Sequence, residues 1–142
     1  MKTMKTKLLL LPFLFIFLSC EIEGDLTKDE LRNTTIAQSS ILKYQGVFNP
    51  TSGIAVTGEA KIYLEGNQYK LQLDNFTISS GPDLKVYLSK SSTPTEFVNL
   101  GNLSSATVYT VPSQVDFSEY KYVLIHCQAY NHLFAVAQLI QI

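Results

Sequence analysis

The sequence predicts a small all-β domain, an antiparallel β-sandwich or barrel of about seven to nine strands. From residue 41 onward, short runs of alternating apolar and polar residues are separated by turn residues. No window of helical length has the 3.6-residue apolar period of an amphipathic helix. The chain also has eight Tyr and eight Phe but no Trp, and aromatic side chains favour strands and fill cores between packed sheets.

Residues 1–19 have the layout of a secretory signal. Three lysines precede the apolar run Leu8–Leu18, and the segment contains no acidic residue. The run is too short to cross a hydrocarbon core, which needs roughly 20 helical residues. We therefore predict a targeting segment that is removed on export.

The end of this segment, Phe17-Leu18-Ser19-Cys20, resembles the lipobox of bacterial lipoproteins. We predict that Cys20 carries acyl chains such as palmitate and anchors the protein to a membrane of the cell envelope, facing the periplasm or the cell surface. Phe17 departs from the Leu that is usual at its position. An ordinary cleaved signal with an incidental cysteine stays open as the alternative.

Residues 20–40 are rich in charge, Thr, Ser and Asn, and have few large apolar side chains. Such a segment cannot bury enough surface to offset its conformational entropy, so we expect a flexible tether before a domain over residues 41–142. Without the three lysines of residues 1–19, the 11 basic residues fall to 8 against 12 acidic ones, a formal net charge of −4. An acidic chain with one arginine, Arg32, lacks the basic surface that nucleic-acid binding requires.

The predicted strands follow the alternation along the chain. Ile62 and Leu64, a Gly66-Asn67 pair, and Leu71 and Leu73 predict a hairpin. Gly81-Pro82-Asp83 has the composition of a turn, since Pro82 fixes φ and Asp83 accepts hydrogen bonds from nearby amides. The other expected strands are Tyr44–Phe48, Ile54–Thr57, Leu84–Leu88, Phe97–Leu100, Ala106–Val111, Tyr122–Gln128 and Phe134–Ile140.

Several short motifs together resemble the DM-thirteen domain, an extracytoplasmic β-rich module, over about Gly46 to Leu139. They are Gly81-Pro82-Asp83-Leu84 before Val86-Tyr87-Leu88, the pair Leu100-Gly101, Asp116 with Tyr120, and the late Cys127. The family is described as a candidate electron-transfer module whose late cysteine is proposed to be redox-active. The resemblance therefore implies a redox role for Cys127, with a redox partner or cofactor of unknown identity.

The chemistry around Cys127 has more than one interpretation. Relatives have a tryptophan immediately before this cysteine, where this chain has His126. Adjacent strand residues point to opposite faces, so His126 and Cys127 cannot form a simple thiolate–imidazole pair. Cys127 shares its face with Val123 and Ile125, which predicts a buried and inert thiol. Lipidation of Cys20 would leave Cys127 without a disulfide partner.

His132 follows the expected turn at residues 129–131 and could lie beside either residue as a ligand or supporting group. Two histidines and one thiol fall short of the three or four ligands of a firm soft-metal site, so we predict no metal centre. The sequence contains no nucleophile elbow and no phosphate-binding glycine loop, and we predict no stand-alone enzyme. Two functions remain open: a redox or electron-transfer accessory module using Cys127, and a non-catalytic binding or adhesion module. A scaffold for a larger envelope complex is a third possibility.

Overall fold

The computed structural model describes residues 36–104 and 108–142. Within these ranges the secondary structure consists of strands and turns, which confirms the all-β prediction. No helix in the described part of the chain is long and apolar enough to cross a membrane. The predicted signal segment, Cys20 and the predicted tether up to residue 35 lie outside the described residues.

Nine strands form in the described part of the chain, and they follow the period-two alternation of the sequence. They are β1 Ile41–Pro50, β2 Val56–Glu65, β3 Gln68–Ile78, β4 Leu84–Ser89, β5 Phe97–Asn102, β6 Val108–Thr110, β7 Tyr122–Cys127, β8 His132–Gln138 and β9 Ile140–Gln141.

All pairings are antiparallel, and the sheet curls into a nearly closed barrel. The spatial order is β5-β4-β7-β8-β1-β2-β3-β6, and β9 pairs with β1 beside β8. The predicted hairpin joins β2 to β3, with a turn at Gly66 and Asn67. This near closure leaves few free strand edges, which limits pairing with strands of other chains.

The core fills the barrel mainly with alternate side chains of β2, β3, β4, β7 and β8. Its most deeply buried members include Ile62, Leu71, Val86 and Leu88. Cys127 belongs to the same core, together with Val123 and Ile125. The alternation that predicted these strands therefore also identified which residues face inward.

Most predicted strands differ from the observed ones by a few residues at their ends, and three cases need a structural explanation. The apolar run at Ile54 does not form a separate strand, because Ile54 closes a turn by donating its N–H to the carbonyl of Thr51, and β2 begins at Val56. The strand expected over residues 106–111 is β6, whose described part is Val108–Thr110. The last predicted strand is two strands, since Leu139 leaves the ladder between β8 and β9 and donates its N–H to Lys121.

Candidate functional site

The site is built at the end of β7, where Cys127 is the last strand residue. Cys127 pairs with Leu84 of β4 on one side and with His132 of β8 on the other. Its side chain is completely buried, and its sulfur is in no disulfide within residues 36–104 and 108–142. The sequence prediction that Cys127 lies in apolar company is confirmed, so access to its sulfur requires movement of the residues around it.

The predicted turn at Gly81-Pro82-Asp83 packs against this end of the barrel. A Cβ atom at Gly81 would lie 2.9 Å from Cδ2 of Leu84 and 3.0 Å from Cζ of Phe134, so a larger residue there would require these side chains to shift. The carbonyl of Asp83 accepts the N–H of Gln128, the residue after Cys127, at 2.9 Å. The turn is thus bonded directly to the chain segment that follows the thiol.

An ion pair adds to the fixed geometry of this turn. The carboxylate of Asp83 lies 2.8 Å from Nζ of Lys85, and the same ammonium group donates to Oδ1 of Asn102. These contacts lie at the surface, where an ion pair contributes up to about 1 kcal/mol to stability. They favour the closed turn by this small free energy, so the turn can still open and loss of the Asp83 side chain should make opening easier.

His126 lies on the opposite face of β7 from Cys127, as strand alternation predicts. Its ring is 95% buried and packs against Tyr87, with ring centroids 5.6 Å apart. Nε2 lies 3.2 Å from Oδ1 of Asn131, where an N–H donates to this oxygen. Nδ1 has no hydrogen-bond partner among the described residues.

Tyr87 extends this contact into a row of three rings. It stacks on Phe97 at a centroid distance of 4.1 Å and an interplanar angle of 15°. Phe97 is 41% exposed, so the row His126–Tyr87–Phe97 runs along the outer face of the sheet, from buried rings to an exposed one, across β7, β4 and β5. Burial raises the pKa of the Tyr87 phenol, which therefore stays protonated at neutral pH.

His132 is exposed and does not join His126. Its ring packs edge-on against Phe134, at a centroid distance of 5.4 Å. Pairing with Cys127 places His132 on the same face of the sheet as the thiol, at the rim of the barrel. The structure thus brings His132, Cys127 and the Gly81–Asp83 turn to one end of the barrel and leaves His126 on the outside of the sheet.

Within residues 36–104 and 108–142, no group of three or more His, Cys, Asp or Glu side chains is placed to hold a metal ion.

Sequence reasoning did not identify Tyr87 or Asn131 as neighbours of His126. Asn131 has a positive φ of 47°, a conformation that Asn adopts more readily than most residues. An asparagine directly after Tyr130 was therefore the sequence signal for the turn that brings Asn131 to His126.

Comparison with known proteins adds one match. A family model described as "Electron transfer DM13" covers residues 48–139. The matched range includes every strand from β2 to β8 and contains one cysteine, Cys127. No curated protein and no solved structure matches the chain.

Proposed function

Because the chain belongs to the DM13 electron-transfer family, we propose that it is an electron-transfer accessory module of the cell envelope, with Cys127 as its redox-active residue and a lipid on Cys20 as its anchor. The observation that carries this proposal is the family match itself, which spans the barrel and includes Cys127 as its single thiol.

A single thiol can exchange electrons with a partner that carries a disulfide. The thiolate of Cys127 attacks one sulfur of that disulfide, a new S–S bond joins the two proteins, and the partner's second sulfur leaves as a thiolate. A second external thiolate then attacks the partner's sulfur in the mixed disulfide and releases Cys127, which takes up a proton. The reaction needs a partner disulfide and a second thiol, and it needs no bound cofactor.

Cys127 must become accessible for this exchange, because its side chain is fully buried. It occupies the last position of β7, and the bond from Gln128 to Asp83 is the next main-chain contact beyond it. Strand ends and surface turns open at a smaller free-energy cost than the centre of a sheet. Local opening of the Gly81–Asp83 turn would expose the sulfur while the barrel stays folded.

The test measures labelling of Cys127 in the folded, full-length protein with a chromogenic disulfide reagent. We expect slow labelling under native conditions, faster labelling in the Asp83→Ala variant, and none in Cys127→Ser. A Cys127 that labels only in denaturant, at the rate of global unfolding, would contradict the opening step.

A second experiment tests the exchange in cells. Acid-quenched cells are analysed by non-reducing electrophoresis, and we expect a partner-linked band that disappears with reductant and in Cys127→Ser. A control chain that combines Cys127→Ser with Ser92→Cys places an exposed thiol in the β4–β5 loop. If the control forms the same band, the linkage reflects a generic thiol and the proposed role of Cys127 fails.

A binding or adhesion role is the second candidate, and an exposed apolar groove favours it. Val47, Ile140 and Ile142 are 59%, 66% and 64% exposed, and they line an open groove of about 330 Å³ whose other lining residues come from β1, β2 and β8. Clusters of exposed aliphatic side chains often mark contact surfaces. Loss of cell attachment in Val47→Ser/Ile140→Ser, with full attachment in Cys127→Ser, would favour adhesion over electron transfer.

A further inference from the structure

A second open cleft lies at the end of the barrel where β7 begins and β8 ends. Its volume is about 480 Å³. Cys127 is the last residue of β7, so the cleft and the thiol are separated by the length of that strand, roughly 16 Å. The cleft is therefore a separate site from the candidate redox centre.

One wall of this cleft is aromatic. Tyr44 and Phe117 are stacked, with ring centroids 4.9 Å apart and an interplanar angle of 25°. Tyr69 supports Phe117 from behind, edge-on at 4.9 Å. Phe117 is buried and Tyr44 is partly exposed, so this support fixes the orientation of the ring that reaches the cleft.

Beside the apolar Leu139 and Ile140, the rest of the lining is polar and includes groups of both charges. Asp116 supplies a carboxylate, Lys121 an ammonium group, and Gln138 and Gln141 supply carboxamides. Hydrogen bonds from Ser118 hold the pKa of the Asp116 carboxyl below its ordinary value. Burial raises the pKa of the Tyr44 phenol above the ordinary value for tyrosine. The cleft thus offers an ionised acceptor and a protonated hydroxyl donor at neutral pH.

Backbone contacts hold the walls in place although they come from distant parts of the chain. The carbonyl of Asp116 accepts the N–H groups of Glu119 and Tyr120, at 3.0 and 2.8 Å. Gln141 pairs with Tyr44 in the β1–β9 ladder, and the N–H of Leu139 donates to the carbonyl of Lys121. A cleft built this way is preformed, which lowers the entropic cost of binding a ligand.

We propose that this cleft binds a neutral saccharide. Sugar hydroxyls both donate and accept hydrogen bonds, and they match a lining that contains a carboxylate, an ammonium group and two carboxamides. The apolar C–H face of a pyranose ring packs against an aromatic side chain such as Tyr44. A ligand of either net charge would meet a group of its own sign in the cleft, which favours an uncharged polyol.

Calorimetric titration of the full-length protein, purified in a detergent without a sugar headgroup, tests this assignment. The probes are neutral oligosaccharides of glucose, galactose, mannose and N-acetylglucosamine, and a panel of free amino acids provides zwitterions of similar size. We expect at least one oligosaccharide to bind and no amino acid to bind. Binding of amino acids alone, or of neither panel, would overturn the proposal.

Two conservative variants locate the binding. Asp116→Asn keeps an oxygen that accepts the N–H of Ser118 but removes the charge, and Tyr44→Phe keeps the ring but removes the hydroxyl. Each should weaken saccharide binding roughly tenfold, as expected for one lost hydrogen bond to ligand. Glu65→Gln and Tyr130→Phe make the same chemical changes outside the cleft and should leave affinity unchanged.

Unaltered thermal unfolding of the variants would show that the barrel is intact. Equal affinity in all four variants would place any binding elsewhere and overturn the assignment to this cleft. Cys127→Ser should bind saccharide as well as the natural protein does. The cleft proposal and the redox proposal can therefore fail independently.

Discussion

The buried His126 side chain has one contact that stabilises the fold and one atom that destabilises it. Its ring packs against Tyr87 in a nearly closed environment, which favours the fold. Its Nδ1 atom is buried without a hydrogen-bond partner in the described part of the chain. A buried, unpaired polar atom costs on the order of 1–3 kcal/mol.

We therefore predict opposite outcomes for two substitutions of His126. His126→Phe keeps a ring against Tyr87 and removes the unpaired nitrogen, so its stability should remain within about 1 kcal/mol of the natural protein, despite loss of the contact with Asn131. His126→Ala leaves a cavity and should lose about 2–4 kcal/mol. Urea denaturation measures both, and equal losses would contradict the prediction.

Asp116 allows a second prediction at the scale of a single group. Its pKa lies below the ordinary value because of hydrogen bonds from Ser118, in which the backbone N–H contributes more than the hydroxyl. In an NMR titration of the carboxyl carbon, Ser118→Ala should raise this pKa only part of the way to its ordinary value. A complete return would mean that the hydroxyl, and not the backbone, holds the carboxylate.

Because of the same hydrogen bonds, the contribution of Asp116 to the free energy of unfolding depends on pH. The native turn binds the ionised carboxylate more tightly than the protonated one. Its contribution to stability is therefore present above the unfolded pKa of Asp116 and is lost as the pH falls through the lowered folded pKa.

At the scale of elements, the approach of β8 and β9 to β1 depends on Gly46. A Cβ atom there would lie 2.2 Å from the carbonyl oxygen of Gln138 and 2.8 Å from its carbon. Both are backbone atoms, which cannot turn aside as a flexible side chain can. The absence of a side chain at Gly46 is thus a requirement of strand packing.

We expect Gly46→Ala to destabilise the protein by about 3 kcal/mol or more, because the clash separates β1 from β8. Gly66→Ala is the control: a Cβ there meets no atom within 4 Å, and only its φ of +61° is unfavourable, at a cost of about 1 kcal/mol. Urea denaturation of both proteins gives the comparison. If Gly46→Ala lowered the free energy of unfolding no more than Gly66→Ala does, the close approach of Gln138 to Gly46 would be contradicted.

The elements that sequence reasoning predicted are those with local signals. Alternation identified the inward face of β7, including Cys127, and Gly66-Asn67 identified the β2–β3 hairpin. The break at Leu139 could not be predicted, because it depends on contacts with Lys121 and Gly46 that are distant in sequence. The stacking of Tyr87 on His126 was missed for the same reason, since it depends on the β4–β7 register.

At the scale of the whole molecule, the barrel has two chemically different ends. One end contains Cys127 and the Gly81–Asp83 turn, and the other contains the polar cleft beside Tyr44. Ile41, where the predicted tether meets β1, pairs with Leu64 and lies towards the cleft end. The chain thus enters the barrel at the end opposite to the thiol.

This arrangement gives the predicted lipid anchor a specific consequence. The segment from Cys20 to Ile41 spans at most about 70 Å when fully extended, so a lipid on Cys20 would hold the barrel near one membrane while leaving the Cys127 end free to face a partner. We expect the natural protein and Cys127→Ser to remain in the membrane fraction after an alkaline wash and to incorporate labelled palmitate. Cys20→Ser should lose both properties, because each buried methylene of the acyl chains contributes about 0.8 kcal/mol to membrane binding. Retention of unlabelled Cys20→Ser protein in the washed membranes would mean that another segment holds the barrel there.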